Sequence, residues 1–363
     1  MFKLTFCLNG YLLFLIDFYV CLYSRFQYKF SLSVRKLLLK LQRSLIWITV
    51  GETYGKGKKF GNSKGVECSY WIFNSAGVAF ISLFFVYCSK FYVKMGYQPK
   101  VVLITGCAKG IGRHLAECFY KKNYSVIATD IDIEALKTAL KDWDTEGMLI
   151  MKLDVSKAQD WQAVMAQISE NFGRLDICIN NAGVITPGFV EEMDTESIDY
   201  QIDINTKGVL YGTKFATEMM IKQGSGHIIN FSSLAGVAPI HGLSVYSASK
   251  HAVRGFTLSI VPELNSKGID VSVICPDLVK TDMLTLQLDY EAAALTFSGN
   301  KFLTVKDIEI AVFQKALGHK KVEILVPSSR GLTAKLGNFF PVLGFKLTRV
   351  LEKKGLKNQA KLK

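Results

Sequence analysis

Val101-Val102-Leu103-Ile104-Thr105-Gly106-Cys107-Ala108-Lys109-Gly110-Ile111-Gly112 decides the fold. Its first four residues form a short aliphatic, largely β-branched run, which predicts a buried strand. Three glycines follow, and then Leu115, Ala116 and Phe119 recur at helical spacing. Strand, glycine turn and helix together aim backbone N–H groups and a helix N-terminus at a pyrophosphate. The spacing is G-x-x-x-G-x-G rather than G-x-G-x-x-G, so the turn alone is also compatible with simple punctuation. The alternation continues, with a strand at Ser125–Thr129 closed by Asp130 and another at Met148–Leu153 closed by Asp154 and Val155. Leu175–Ile179 then runs into Asn180-Asn181-Ala182-Gly183, and Ile228–Phe231 into Ser232-Ser233. Strands alternating with helical patterns predict a single α/β domain, a doubly wound parallel sheet of Rossmann-like type.

Chemistry concentrates at the strand ends and in Tyr246-Ser-Ala-Ser-Lys250. Four residues on a helix place both side chains on one face. A phenol has a pKa of about 10, and a fixed ammonium beside it favours the phenolate, which suits Tyr246 to general acid/base work. Taken alone, such a pair is an ordinary helix surface. A hydroxyl at 232 or 233 is placed to face the tyrosine across a substrate oxygen. Asp130, at the end of the second strand, offers a carboxylate to ribose hydroxyls and repels a 2′-phosphate, favouring NAD over NADP. Lys109 in the glycine turn pulls the other way. Small residues at 181–183 allow close approach of a ligand, and asparagines there can tie neighbouring strands together.

Charge is distributed unevenly. The chain has 363 residues and a net charge of +13, but residues 1–94 carry +10 and residues 330–363 carry +8, leaving −5 between them. No basic, aromatic-interleaved recognition motif occurs in the middle, which argues against nucleic acid as a partner. The eight cysteines are scattered without a C-x-x-C pair, so neither a zinc site nor a disulfide framework is indicated. A reducing, cytoplasmic location fits the catalytic domain.

Residues 1–94 differ in kind from the rest, with twelve phenylalanines, two alanines and no proline. Cys68 to Ser89 is an uncharged run of 22 residues, long enough to span a bilayer as a helix. Two readings stand: a hydrophobic, basic membrane anchor, or translated leader with Met95 as the real start. Residues 95–329 read as the dinucleotide-binding catalytic domain. Residues 330–363 read as a basic amphipathic tail, with Leu343, Leu347, Val350 and Leu351 on one helical face and Lys346, Arg349 and Lys353 on another. Contact with an anionic membrane by both termini is the expectation; docking of the tail on the core, or extension of the substrate entrance, is the alternative.

With these pieces in order, the chain resembles the short-chain dehydrogenase/reductase family, in its compact Tyr-x-x-x-Lys branch. The matching motifs are Thr-Gly-x-x-x-Gly-Ile-Gly at 105–112, Asn-Asn-Ala-Gly at 180–183, Asn205, Ser233, Tyr246-x-x-x-Lys250, and Pro276 with Thr281. The resemblance implies hydride transfer between a nicotinamide and an alcohol or carbonyl, with Asn205, Ser233, Tyr246 and Lys250 as the catalytic set. In it Tyr246 exchanges the proton, Lys250 lowers the tyrosine pKa and holds the ribose, Ser233 orients the substrate oxygen and Asn205 holds a water. For the cofactor it implies Gly106, Lys109, Gly110, Ile111 and Gly112 at the pyrophosphate and Asp130 at the adenine ribose. Asp154 and Val155 fall at the adenine. Asn181, Ala182, Gly183, Tyr246, Lys250, Pro276 and Thr281 follow the ribose and nicotinamide. Asp277 departs from the family's usual glycine. A homodimer through the helices after Asn205 and around Tyr246 is implied as well. The apolar segment from Met283 to Phe297 suggests a lid over a small hydrophobic alcohol or carbonyl, with no charged pocket residue pointing to a sugar or an acid. An NADPH-dependent carbonyl reductase and a catalytically silent nucleotide-binding sensor are the competing readings.

Overall fold

The computed structural model describes residues 99–143, 148–299 and 301–363, with side-chain surroundings left aside for 341 and 343–347. The chain divides into two units, Met1–Met95 and Gly96–Lys363. The proposed anchor or leader, Cys68–Ser89 included, lies outside the described residues.

Seven strands form one parallel sheet: β1 (Val101–Thr105), β2 (Ser125–Asp130), β3 (Leu149–Lys152), β4 (Ile177–Asn180), β5 (Gly226–Phe231), β6 (Ile269–Pro276) and β7 (Glu323–Val326). Their order is β3-β2-β1-β4-β5-β6-β7. The winding therefore reverses between β1 and β4, paired from Val102↔Ile177 to Ile104↔Ile179. At such a switch point the loops leave in opposite directions and open a crevice at the carboxyl edge. Strands covered by helices on both faces are apolar on both sides, and every residue of β1 is buried.

The helices are α1 (Gly110–Lys121), α2 (Ile133–Leu140), α3 (Ala158–Phe172), α4 (Thr195–Ile202), α5 (Gly208–Gln223), α6 (Ser244–Asn265) and α7 (Asp282–Gln287). They continue with α8 (Val305–Ile310), α9 (Ser328–Phe339) and α10 (Pro341–Ala360). One apolar cluster seats Leu115 and Phe119 of α1 against Val102 and Ile104, and another seats Trp161 and Ile168 of α3 against Leu103 and Cys178. Asparagines tie the strands together as expected. Asn181 Nδ2 donates to Thr105 O at 2.9 Å, and Asn180 Nδ2 donates to Asn230 Oδ1 at 2.8 Å. Between α4 and α5 the helix widens into π turns over Asp203–Lys207, with Asn205 buried inside them.

The tail docks on the core, the alternative to a free amphipathic helix. Gln359 Nε2 donates to the carbonyls of Gln287, Leu288 and Tyr290 at 3.0, 2.8 and 2.9 Å. Asn358 Nδ2 donates to Phe297 O at 2.9 Å. The physical reason is that α7 and the 3-10 turns at Glu291–Ser298 leave carbonyls without helical partners, and the tail's amides supply donors. No described helix is long and apolar enough to cross a membrane.

Candidate active site

At the carboxyl edge of β1, Gly106 has φ +73°, a left-handed conformation open to glycine at no steric cost. A Cβ on Gly112 would sit 2.7 Å from both the Gly106 carbonyl carbon and Asn181 Nδ2. The first turn of α1 therefore lies directly against the glycine loop. Lys109, at the N-cap of α1, makes no side-chain cap, which leaves the helix N–H groups facing outward from a bare cradle. That arrangement fits a pyrophosphate. Asp130 closes one side: its Oδ2 accepts from Ala108 N at 2.9 Å and its Oδ1 from Asp132 N at 3.1 Å. Lys109 turns instead to Asp282, 3.7 Å away, with both side chains exposed.

Asp154 spends its carboxylate locally, accepting from Ser156 N and Oγ at 3.0 and 2.6 Å and pairing with Lys157 at 3.3 Å. Val155 is buried, and its methyls fill the space beside Gly208. Thr281 approaches the glycine turn, 3.5 Å from where a Gly110 Cβ would stand.

Ser233, Tyr246 and Lys250 line one cavity of about 380 Å³, together with Ile111, Asn181, Gly183, Pro276 and Thr281. Tyr246 and Lys250 project from the same face of α6, with Lys250 Nζ 5.7 Å from the ring centroid. Ser233 Oγ accepts from Ala235 N at 3.1 Å and donates to Pro276 O at 3.4 Å. Lys250 Nζ donates to Phe231 O at 3.1 Å. Asn205 is held on both sides: its Oδ1 accepts from Val184 N, and its Nδ2 donates to Val184 O, each at 2.8 Å, and to Ser249 Oγ at 3.2 Å. A Cβ on Gly183 would lie within 3.2 Å of Asn205 Oδ1 and 3.3 Å of Lys250 Nζ, so these two polar groups meet across a residue with no side chain.

Burial dominates the titration of this pair. It pushes the Tyr246 phenol up to about 12, opposed by a hydrogen bond with Ser233. It also lowers the Lys250 ammonium to about 8. The ammonium was expected to pull the phenol down; in the free chain burial is the largest cause for both groups and moves the phenol up.

Ser232 and His241, which lie beside the motif, both have structural partners. Ser232 Oγ donates to Lys250 O at 2.8 Å and anchors α6 to the end of β5. His241 faces Glu352 of the tail at 3.6 Å and stacks near Phe189. One expectation is corrected: the cavity does hold charge. Arg330 of α9 lines it and pairs with Asp277, Nε to Oδ2 2.6 Å. The sequence separation of these two residues, on opposite sides of the segment from Met283 to Phe297, kept the pair out of sight. Thr348 and Leu351 of α10 also line the wall, which no local pattern could reveal.

A nucleotide cradle at the switch point, opening onto a cavity lined by Ser233 and a buried Tyr/Lys pair, defines a dinucleotide-dependent oxidoreductase of the doubly wound α/β class. The family model for short chain dehydrogenase matches residues 100–291, and the chain belongs to the short-chain dehydrogenase/reductase family. As such it is an NAD(P)-dependent oxidoreductase acting on CH–OH groups. It is 37% identical over 190 residues to an uncharacterized oxidoreductase of Thermotoga maritima, covering 52% of this chain and 76% of the relative. It is 37% identical over 199 residues to human 15-hydroxyprostaglandin dehydrogenase [NAD(+)], covering 52% and 72%. Among solved structures, a short-chain dehydrogenase/reductase from Burkholderia phymatum in complex with NAD superposes with TM-score 0.62 at 26% identity, over 68% of this chain and 96% of that one.

Proposed function

We propose that the chain interconverts a small hydrophobic secondary alcohol and its carbonyl compound with NAD(H) as the preferred cofactor. The observation that carries this reading is the convergence of Ser233, Tyr246 and Lys250 on a cavity whose wall, beside the Asp277–Arg330 pair, includes Leu234, Ala238, Ile240, Leu243, Met283 and Leu351. Gly106, Gly110, Ile111 and Gly112 would cradle the pyrophosphate, with Asp130 at the adenine ribose. When bound, the nicotinamide supplies the hydride acceptor or donor. Tyr246 Oη would exchange the proton with the substrate oxygen, and Ser233 Oγ would hold that oxygen in line with it. Lys250 would hold the ribose and, charged, favour the phenolate. Asn205 fixes the Val184 backbone at the switch point and keeps the loop beside Lys250 in place. Asp130 supports NAD over NADP because a carboxylate at the end of β2 would repel a 2′-phosphate, while Lys109 is drawn off toward Asp282. The NAD named for the human relative is in line with this.

Two further parts of the reading concern surroundings. Leu332, Leu336 and Phe339 recur at helical spacing on α9 and are all exposed, as are Phe340, Val342 and Val350. This apolar strip follows directly from Gly337 and Asn338, which line the cavity, and basic Arg349 and Lys353 are near in sequence. It is the surface expected to contact an anionic membrane, from which an apolar substrate would enter. The outward faces of α5 and α6 are the expected homodimer surface, and the free cysteines among the described residues suit a reducing compartment.

The test titrates NADH and NADPH into the full-length chain and assays a panel of apolar secondary alcohols. NADH should bind more tightly, and Tyr246→Phe should lose turnover by roughly 10²–10⁴-fold while still binding NADH. Tighter NADPH binding would mark the carbonyl-reductase alternative. NADH binding with no turnover of any alcohol or ketone would mark the silent sensor.

A further inference from the structure

Away from the cavity, three side chains from two helices converge. His114 and Cys118 stand one turn apart on α1, and Glu309 faces them from α8. His114 Nε2 lies 3.0 Å from Glu309 Oε2 and 3.5 Å from Cys118 Sγ. All three donor atoms fall within 4.8 Å of one another, the single such group among the described residues. None of the three lines the catalytic cavity, so the nucleotide chemistry makes no use of them.

Four-coordinate zinc binds imidazole nitrogen and carboxylate oxygen at about 2.0–2.2 Å and thiolate sulfur at about 2.3 Å. At tetrahedral angles those lengths separate nitrogen from sulfur by roughly 3.5 Å and nitrogen from oxygen by roughly 3.4 Å. The observed edges of 3.5 and 3.0 Å already match to within a few tenths of an ångström. Spacing of four on a helix gives the first two ligands a shared face. The His114 and Glu309 side chains are 21% and 33% exposed, so an ion can reach them while they remain held by packing.

We propose that His114, Cys118 and Glu309 form a zinc site that clasps α1 to α8, with water as the fourth ligand. The mixed nitrogen, sulfur and oxygen set selects a borderline cation over magnesium or calcium, which take oxygen alone. On binding, the Cys118 thiol releases its proton to solvent and the sulfur–metal bond forms; His114 binds as neutral imidazole and Glu309 as carboxylate. One thiolate and one carboxylate neutralise the divalent charge. The clasp joins the helix that follows the glycine turn to the segment leading into β7, so loading stiffens the frame around the nucleotide site without entering it.

Cobalt(II) serves as the spectroscopic probe for the metal-free, full-length chain. One equivalent should produce a sulfur-to-cobalt charge-transfer band, zinc(II) should displace it, and zinc should raise the melting temperature. Cys118→Ser should abolish the band, and His114→Gln and Glu309→Gln should each weaken binding by at least about tenfold, with NADH binding retained as the folding control. No saturable band in the unaltered chain overturns the site. So does a band that survives Cys118→Ser, since it would come from another thiolate. If Cys118→Ser does not fold, unchanged affinity in both other variants overturns it.

Discussion

Gly355→Ala separates a docked tail from a free one by the sign of its effect. In an unattached helix this change is stabilising by roughly 1 kcal/mol, because alanine is the better helix former. In the folded chain Gly355 is buried, and an added Cβ would lie 2.7 Å from the carbonyl carbon of Ala294 and nearer still to its oxygen. Carbon atoms pack at about 3.5–4.0 Å, so α10 has to withdraw by roughly 1 Å. Gln359 sits one turn further on, and its three bonds at 2.8–3.0 Å would stretch beyond hydrogen-bonding range. Overpacking of this kind costs about 1–3 kcal/mol, and each carbonyl left without a donor adds about 1 kcal/mol. After the gain in helix propensity, the expected net effect is a loss of roughly 3–5 kcal/mol of tail docking. Hydrogen–deuterium exchange on the full-length chain should then show faster exchange over residues 282–298 and 351–360, with β1 and α1 unchanged. Equal or slower exchange in both segments would refute the docking and return the tail to an independent helix.

Two other outcomes follow from single buried groups. His227 on β5 has its imidazole pushed down to about 4 by burial, with Asp270 acting to raise it and Lys320 to lower it. The unfolded chain takes up a proton near the ordinary value of 6.5 and the folded chain does not, so stability falls as pH drops from about 6.5 toward 4, by roughly 3 kcal/mol. Denaturant titrations at stepped pH should show that slope flattened in His227→Gln; an identical slope would exclude His227 as its source. Gln287 lines the cavity, and its Oε1 is the one buried side-chain polar atom without a partner among the described residues. Substrates with a second hydroxyl group should therefore be preferred, and Gln287→Met should erase about tenfold of that preference in kcat/KM without loss of stability. Equal kcat/KM for paired alcohols with and without the extra hydroxyl would refute it.

Much of the fold was legible because each local signal agreed with the next. Aliphatic runs that end in glycine, aspartate or asparagine mark the carboxyl edge of a parallel sheet, and the helix-face pairing of Tyr246 with Lys250 needs only a spacing of four. The asparagine ties at 180 and 181 were legible for the same reason: their partners lie on neighbouring strand ends. The π turns around Asn205 were not, since nothing in Asp-Ile-Asn-Thr-Lys distinguishes them from an α-helix. The burial that governs the Tyr/Lys pair in the free chain was not legible either, because exposure to water is a property of the assembled domain.

The sequence by itself determined the class of fold, the position of the nucleotide turn and the residues that meet at the switch point, because these depend on order and short spacing along the chain. Tertiary structure alone decided what the tail covers, that Arg330 reaches Asp277 inside the cavity, and that His114, Cys118 and Glu309 stand together. Each of those rests on side chains tens to hundreds of residues apart, whose approach is set by helix packing on the sheet rather than by any local pattern. Cysteine spacing indicated no zinc site, and it could not register the proposed one, because Glu309 comes from a helix that only folding brings into range.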